Sequence, residues 1–247
     1  MSLFKVEAIN LKTTPFAEQD KLLTVFSKEK GKLSVIAKGA RRPSSKFGGR
    51  CEIFAYNHLL IAKGKSLDIL SQAETIETFQ KVRDNPSAFM VAAYLARVVN
   101  SFLEEAAVNR SLFEVLLGCL KLFQAGVDPQ FVATVFEIKF AAVEGFTPIL
   151  DRCSHCGRKV KKAPQNIRFS DAAGGIVCEK CSFSVYTPRL VSFPLLVLSQ
   201  KIRDQDFETL RNNYKQHGDL SQLSEIFVAY ISEHLGKDIS EWKRFGI

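Results

Sequence analysis

The 247-residue sequence has one tryptophan, two methionines and four histidines, and it never runs longer than 12 residues, Asn85 to Ala96, without a charged side chain. A bilayer-spanning helix needs about 18 or more consecutive apolar residues, so no membrane helix is expected. The opening Met-Ser-Leu-Phe-Lys-Val-Glu-Ala lacks an apolar region and a small-residue cleavage site, so a secretory signal is not expected and the chain reads as cytoplasmic. The signatures of common catalytic sites are missing as well. There is no Gly-x-Ser-x-Gly elbow, no His-Glu-x-x-His helix and no dinucleotide fingerprint, and neither Gly39 nor Gly48 begins a P-loop. None of His58, His155, His217 and His234 starts the His-x-Glu of a nucleobase deaminase, and valine rather than proline precedes Cys178. The acidic pair Glu104-Glu105 reads as a solvated helix end in preference to a shared acid–base site, because neighbours on a helix do not face each other. No catalytic constellation is left, and the chain is read as a non-enzyme.

Acid is the scarcer sign: 26 Asp and Glu stand against 34 Lys and Arg, a net charge of +8. The excess is uneven. Residues 1–80 hold 13 basic and 8 acidic side chains and residues 151–190 hold 8 and 3, whereas 81–150 and 191–247 are each slightly acidic. Two basic segments between near-neutral ones suggest a footprint for a polyanion, with a solvated basic face as the plainer alternative. A hydrophobic content of 46% and a charged content of 24% are those of a globular chain with a real core.

Period-2 alternation marks the first 80 residues as strands: Phe4, Val6 and Ala8 alternate with Lys5 and Glu7, and Leu33, Val35 and Ala37 with Ser34 and Ile36. Further strands are expected over 21–27, 56–62 and 66–79, with Gly31 and Gly64 at hairpins. Five short strands suggest a small barrel, with the five-stranded OB barrel leading over a sandwich or an SH3-like barrel. From residue 84 the pattern becomes helical. Asn85-Pro86 and Asp128-Pro129 each place a capping side chain before a proline, which predicts helices over 86–104, 110–125 and 129–144. A later stripe of Leu223, Ile226, Phe227, Tyr230 and Ile231 predicts a helix over 222–235 that needs a partner. The simplest arrangement packs it, with a shorter helix starting near Pro194, onto the earlier three. The expected organisation is therefore α+β and multidomain: a barrel over 1–80, a helical domain over 81–149 and 189–247, and an insertion over 150–188.

That insertion contains Cys153-Ser-His-Cys156 and Cys178-Glu-Lys-Cys181. Each Cys-x-x-Cys turn can place two thiolates on one edge of a tetrahedron around zinc, and two such knuckles close a four-coordinate site. Ile167-Arg-Phe169 and Ile176-Val177 flank Asp171-Ala-Ala-Gly174-Gly175, the pattern of a zinc-ribbon hairpin. Cys153, Cys156, Cys178 and Cys181 are thus expected to hold one structural Zn2+, with His155 as a lesser candidate ligand. Cys51 and Cys119 have no neighbour of this kind and read as buried, inert thiols.

The second informative segment, from Lys38 to Arg50, follows a strand and carries Lys38, Arg41, Arg42, Lys46 and Arg50 with no acid. Its Gly, Pro and Ser content makes it a long loop, the form in which binding residues are often displayed. The cations would contact phosphates, Ser44 and Ser45 would add hydrogen bonds, and Phe47 could stack on a base. A second group of cations, Arg158, Lys159, Lys161, Lys162 and Arg168, surrounds the cysteines.

Taken together, the stretch Glu18-Gln-Asp20-Lys-Leu-Leu-Thr-Val-Phe26 through Gly31-Lys-Leu-Ser-Val-Ile-Ala-Lys38-Gly39-Ala40-Arg41-Arg42 and Ser45, with the ribbon Phe169-Ser170 to Gly174-Gly175 and Cys178-x-x-Cys181, resembles the bacterial RecO recombination mediators, in their zinc-containing branch. Cys51-Glu-Ile-Phe54 departs from the Leu-Gln-Pro-Phe often found there, which puts only that turn in question. The resemblance implies an OB barrel, a helical domain and a ribbon, and a non-enzymatic, nucleoid-associated role in DNA repair. RecO proteins bind single- and double-stranded DNA and anneal complementary strands. With RecR, they help load RecA onto strands coated by the single-stranded-DNA-binding protein SSB, whose acidic tail docks on the helical domain. Phe131, Phe136 and Phe140, the candidate aromatics for that docking pocket, read as core.

Two other classes fit the same residues. A zinc-ribbon regulator would read a defined DNA sequence, although the apolar helices lack the Arg and Asn of groove readers; an OB-fold RNA-binding protein would use the same loop chemistry.

Overall fold

A computed structural model describes residues 2–160, 164–184 and 188–245. The first five strands are β1 (Leu3–Phe16), β2 (Asp20–Ser27), β3 (Gly31–Ala37), β4 (Tyr56–Ala62) and β5 (Asp68–Glu77). They close into a barrel of order β1-β2-β3-β5-β4, with antiparallel neighbours except for the parallel pairing of β3 with β5. This is the OB arrangement; the β1–β4 ladder that completes the ring leaves no open edge in it. The alternation read from the sequence is the inward face: Val6, Ala8, Leu23, Val25, Leu33, Val35, Leu59, Ile61 and Leu70 fill the interior.

In the barrel, Gly31 sits where the backbone requires glycine. It has φ of +69°, and a Cβ there would meet the carbonyl oxygen of Ala107 at 2.0 Å. The segment after the second helix runs that close to the β2–β3 turn, where Ala106 N donates to Lys32 O at 2.9 Å.

Helices α1 (Gln80–Asp84), α2 (Pro86–Phe102) and α3 (Arg110–Gln124) follow. Both expected caps are formed, Asn85 Oδ1 accepting from Ala88 N at 3.1 Å and Asp128 Oδ1 from Phe131 N at 2.9 Å, and Asn109, for which the sequence reading names no cap, accepts from Leu112 N at 2.9 Å. The alternation over 66–79 stops being strand at Glu77, and the five-residue α1 is too short to show a helical period. The partners of α2 and α3 differ from the sequence expectation. They pack with the barrel, through an edge-to-face contact of Phe113 on Phe26 with centroids 5.5 Å apart, a similar contact of Phe89 on Phe54, and Lys32 Nζ donating to Asn100 O at 2.9 Å. Among the described residues, one compact unit therefore takes in 2–126 together with Phe245, and the other takes in 127–244. Aromatic faces on both sides of the α2 and α3 apolar surfaces decide this, and helical periodicity says nothing about which partner fills them.

The second unit holds α4 (Pro129–Val143), β6 (Asn166–Ser170), β7 (Gly175–Val177), β8 (Arg189–Ser192), α5 (Phe193–Asp204), α6 (Phe207–Asn213), α7 (Ser221–Leu235) and all but the last residue of α8 (Ser240–Phe245). The stripe on α7 finds its partner in α4, and α5 also packs on α4. At their seam the fully buried Glu137 accepts from Ser224 Oγ at 2.5 Å and from Lys243 Nζ at 2.9 Å. Both contacts satisfy a carboxylate that would otherwise be costly to bury. Phe131, Phe136 and Phe140 are core residues, at 5%, 0% and 0% exposure, so their rings form no open pocket floor. Among the described residues, no helix is long and apolar enough to cross a membrane.

Candidate nucleic-acid interface and metal centre

Loop 38–55 is folded, and its own apolar residues seat it. Ala40, Phe47 and Cys51 turn inward and join the barrel core. Phe47 is 2% exposed, so the stacking role expected for it from sequence is not available; it anchors the loop instead. A lone aromatic among glycines and cations reads as a surface residue, and only the open end of the barrel makes it core. Cys51 is fully buried, and burial pushes its thiol up to about 11, with Lys21 opposing, which keeps it neutral and inert.

Polar side chains clamp the end of the loop. Asn10 Nδ2 donates to Arg50 O and Glu52 O, both at 2.8 Å, Asn57 Nδ2 donates to Arg50 O at 3.0 Å, and Thr13 Oγ1 donates to Cys51 O at 2.8 Å. Lys21 pairs with Glu52 at 2.8 Å. At the start of the loop, Asp20 Oδ1 accepts from Gly39 N at 2.7 Å. Asn10, Asn57 and Asp20 had been given no role from sequence; a polar residue at an inward strand position, such as Asn10 between Ile9 and Leu11, was the available signal.

With its apolar residues inside, the loop turns its cations out. Lys38, Arg41, Arg42 and Lys46 are exposed, and Ser45 and Arg50 are half-buried. Their contacts are to neutral oxygens: Arg41 Nη1 to Glu18 O at 2.9 Å, Arg42 Nε to Gln19 Oε1, Lys46 Nζ to Ser71 O at 2.9 Å, and Arg50 Nη1 to Lys46 O at 3.0 Å. Among the described residues no carboxylate lies within 4.0 Å of these five cations. A basic surface held by carbonyls keeps its full charge for an outside anion.

In the second unit the ribbon forms a three-stranded sheet of order β7-β6-β8. Its alternation gives it two faces. Phe169, opposite Ile176 and Arg189, is fully buried and packs edge-on against Tyr230 of α7 at 5.8 Å. Arg168, opposite Val177 and Leu190, lies on the other face. The knuckles are tight turns in which Gly157 N donates to Cys153 O at 2.8 Å and Cys181 N to Cys178 O at 3.0 Å.

They bring the sulfurs of Cys153, Cys156, Cys178 and Cys181 within 4.8 Å of one another, with Cys156 and Cys178 at 3.8 Å. Sulfurs about 2.3 Å from a tetrahedral zinc stand roughly 3.8 Å apart, so the donor set fits that ion. Burial disfavours the Cys153 thiolate, but N–H groups of Cys178, Cys156 and His155 outweigh it and lower the thiol, which suits a ligand. His155 is exposed on the first knuckle and four sulfurs already fill the shell.

Arg158, Lys159 and Arg168 are exposed around this site; Lys161 and Lys162 lie outside the described residues. Two exposed apolar side chains were missed by sequence reasoning: Leu190, 67% exposed, and Phe183, 91% exposed, two residues after Cys181. Both look like ordinary strand or core residues in sequence, and exposure is their only signal.

Comparison with known proteins agrees with this architecture. The family model for the N-terminal part of recombination protein O matches residues 1–79, and that for its C-terminal part matches residues 83–243. The chain is similar to a protein of Pelotomaculum thermopropionicum named DNA repair protein RecO, 32% identical over 249 residues, covering 100% of this chain and 96% of that one. Proteins of the same name in a Thermoanaerobacter species and in Symbiobacterium thermophilum are each 31% identical, covering 95% and 94% of this chain and 94% and 92% of theirs.

Proposed function

The chain belongs to the RecO family of DNA repair proteins, and from that premise we propose that it binds DNA strands through the barrel loop and anneals complementary ones. The observation that carries this is the seated loop, which displays Lys38, Arg41, Arg42 and Lys46 without a carboxylate partner. Two complementary strands repel through their phosphates. A surface that neutralises phosphates while reading no base edges lowers that repulsion and leaves the bases free to pair, so annealing needs no ATP. Arg50, with its carbonyl clamped by Asn10 and Asn57, braces the loop, and Ser45 supports it by accepting from Phe47 N at 3.2 Å. Arg158, Lys159 and Arg168 of the ribbon extend the binding, with Lys161 and Lys162.

Cys153, Cys156, Cys178 and Cys181 hold one zinc ion, which supplies structure only, since four thiolates leave no open position for a substrate. In the cell this annealing would act with RecR to help load RecA on strands coated by SSB, whose acidic tail would dock on the helical unit. The protein acts as a mediator without catalysis of its own.

The test is annealing of two complementary oligonucleotides, bare and precoated with SSB, by wild type and by Arg41→Ala/Arg42→Ala. Acceleration through the coat that the variant loses supports the reading. Tight binding with no acceleration favours a sequence-reading regulator or an RNA-binding protein, and an RNA oligonucleotide competing better than DNA selects the latter.

A further inference from the structure

Beside the cysteine cluster is a cavity of about 200 Å3 whose wall includes Cys153 and Cys178. Arg158, Lys159 and Arg168 line it, and so do Val177 and Leu190. The register explains this composition. In antiparallel pairing Val177, Arg168 and Leu190 stand side by side across β7, β6 and β8, on the face turned away from Tyr230. Val177 is 2% exposed beneath the knuckles, while Leu190 is 67% exposed at the outer strand. The apolar wall is thus half covered, and three exposed cations surround it. Among the described residues none of the three has a carboxylate within 4.0 Å; Glu179 is the acidic group on the rim.

An apolar wall next to unpaired cations suits a ligand that is apolar on one side and anionic on the other. An unpaired nucleotide has this chemistry: its base offers a flat apolar face and its phosphate a charge. We propose that this cavity is a nucleotide subsite for a single strand, in which one unpaired base lies against Leu190 and its flanking phosphates contact Arg158, Lys159 and Arg168. The subsite rests on the strand-binding reading above and adds a feature that reading lacks. The loop contacts only phosphates, whereas the ribbon requires a base that is free of its partner. Duplex DNA offers phosphates but no free base, so the ribbon distinguishes a single strand from a duplex.

The test uses the full chain and Leu190→Ala, with three fluorescent probes of equal length: an oligothymidylate, an abasic strand and a duplex. One zinc per chain in the variant checks that the ribbon is intact. The expected result is a loss of roughly three- to tenfold in affinity for oligothymidylate, on the scale of one apolar contact, with abasic and duplex affinities unchanged. Arg168→Gln should weaken oligothymidylate and abasic binding alike. If Leu190→Ala binds oligothymidylate as wild type does, or loses affinity equally for all three probes, the subsite is overturned. In that case Arg41→Ala/Arg42→Ala still weakens every probe and the strand-binding reading stands; absence of any DNA binding by wild type removes that reading itself.

Discussion

The side-chain amide of Asn10 lies 2.8 Å from the carbonyl oxygen of Arg50, so a residue of β1 holds the end of a loop 40 positions further on. The same amide reaches Glu52 O at 2.8 Å, and Asn10 is completely buried. Asn10→Ala removes two buried hydrogen bonds, while Asn57 Nδ2 and Ala55 N still reach the same two carbonyls, so the cost is about 1–2 kcal/mol. Thermal unfolding should show that loss, and limited proteolysis should show new cleavage between residues 38 and 50.

Phe47 separates an anchoring role from a stacking one. Phe47→Ala opens a cavity in the barrel and should cost about 3–5 kcal/mol, whereas Phe47→Leu keeps most of the volume and should cost on the order of 1 kcal/mol. Because the ring is buried, the leucine variant should bind single strands with nearly wild-type affinity. A large loss of affinity in a stably folded Phe47→Leu would mean that the ring does touch a base.

Gly31→Ala combines strain from a positive φ with a Cβ 2.0 Å from Ala107 O, a backbone atom that cannot step aside. The expected penalty is at least about 2 kcal/mol. Chemical denaturation of the variant measures it, and stability equal to wild type would contradict the close approach of the two segments.

Cys51 gives a pH dependence. Its thiol is raised from 9.0 to about 11 by burial, so the folded state prefers the neutral form. A raised acid contributes stability that is fully present below its unfolded value and lost as pH rises through the folded one. The difference in melting temperature between wild type and Cys51→Ala should therefore shift against wild type between pH 9 and 11 and stay constant below. Iodoacetamide at pH 8 should leave Cys51 unmodified in the native protein.

Removing the metal should affect the ribbon selectively. Cys178→Ser, or a strong chelator, should abolish binding of one zinc per chain and expose residues 150–188 to protease, since binding energy at such a site is also folding energy. Full resistance to protease without zinc would show that Phe169 and Ile176 suffice to hold the hairpin.

Much of this was legible in the residues. The alternation at Phe4 to Ala8 and Leu33 to Ala37 marks the inward barrel face, and Cys-x-x-Cys spacing brings four sulfurs together, because both signals are local consequences of backbone geometry. Phe47 was misread because its burial depends on the barrel mouth formed by strands far away in sequence. The grouping of α2 and α3 with the barrel depends on Phe113 meeting Phe26, a pairing that no helical period encodes. Leu190 escaped notice for the opposite reason: in sequence it looks like core, and only the sheet register turns it outward beside Arg168.

The most direct measurement is the affinity for a single-stranded oligonucleotide as a function of salt, for wild type and Arg41→Ala/Arg42→Ala. Each phosphate contact on a single strand contributes about 0.7 to the log–log slope. The account predicts a steep wild-type dependence whose magnitude drops by about 1.4 in the variant, with weaker binding at every salt concentration. An unchanged slope and affinity would contradict the claim that the seated loop is what grips the strand.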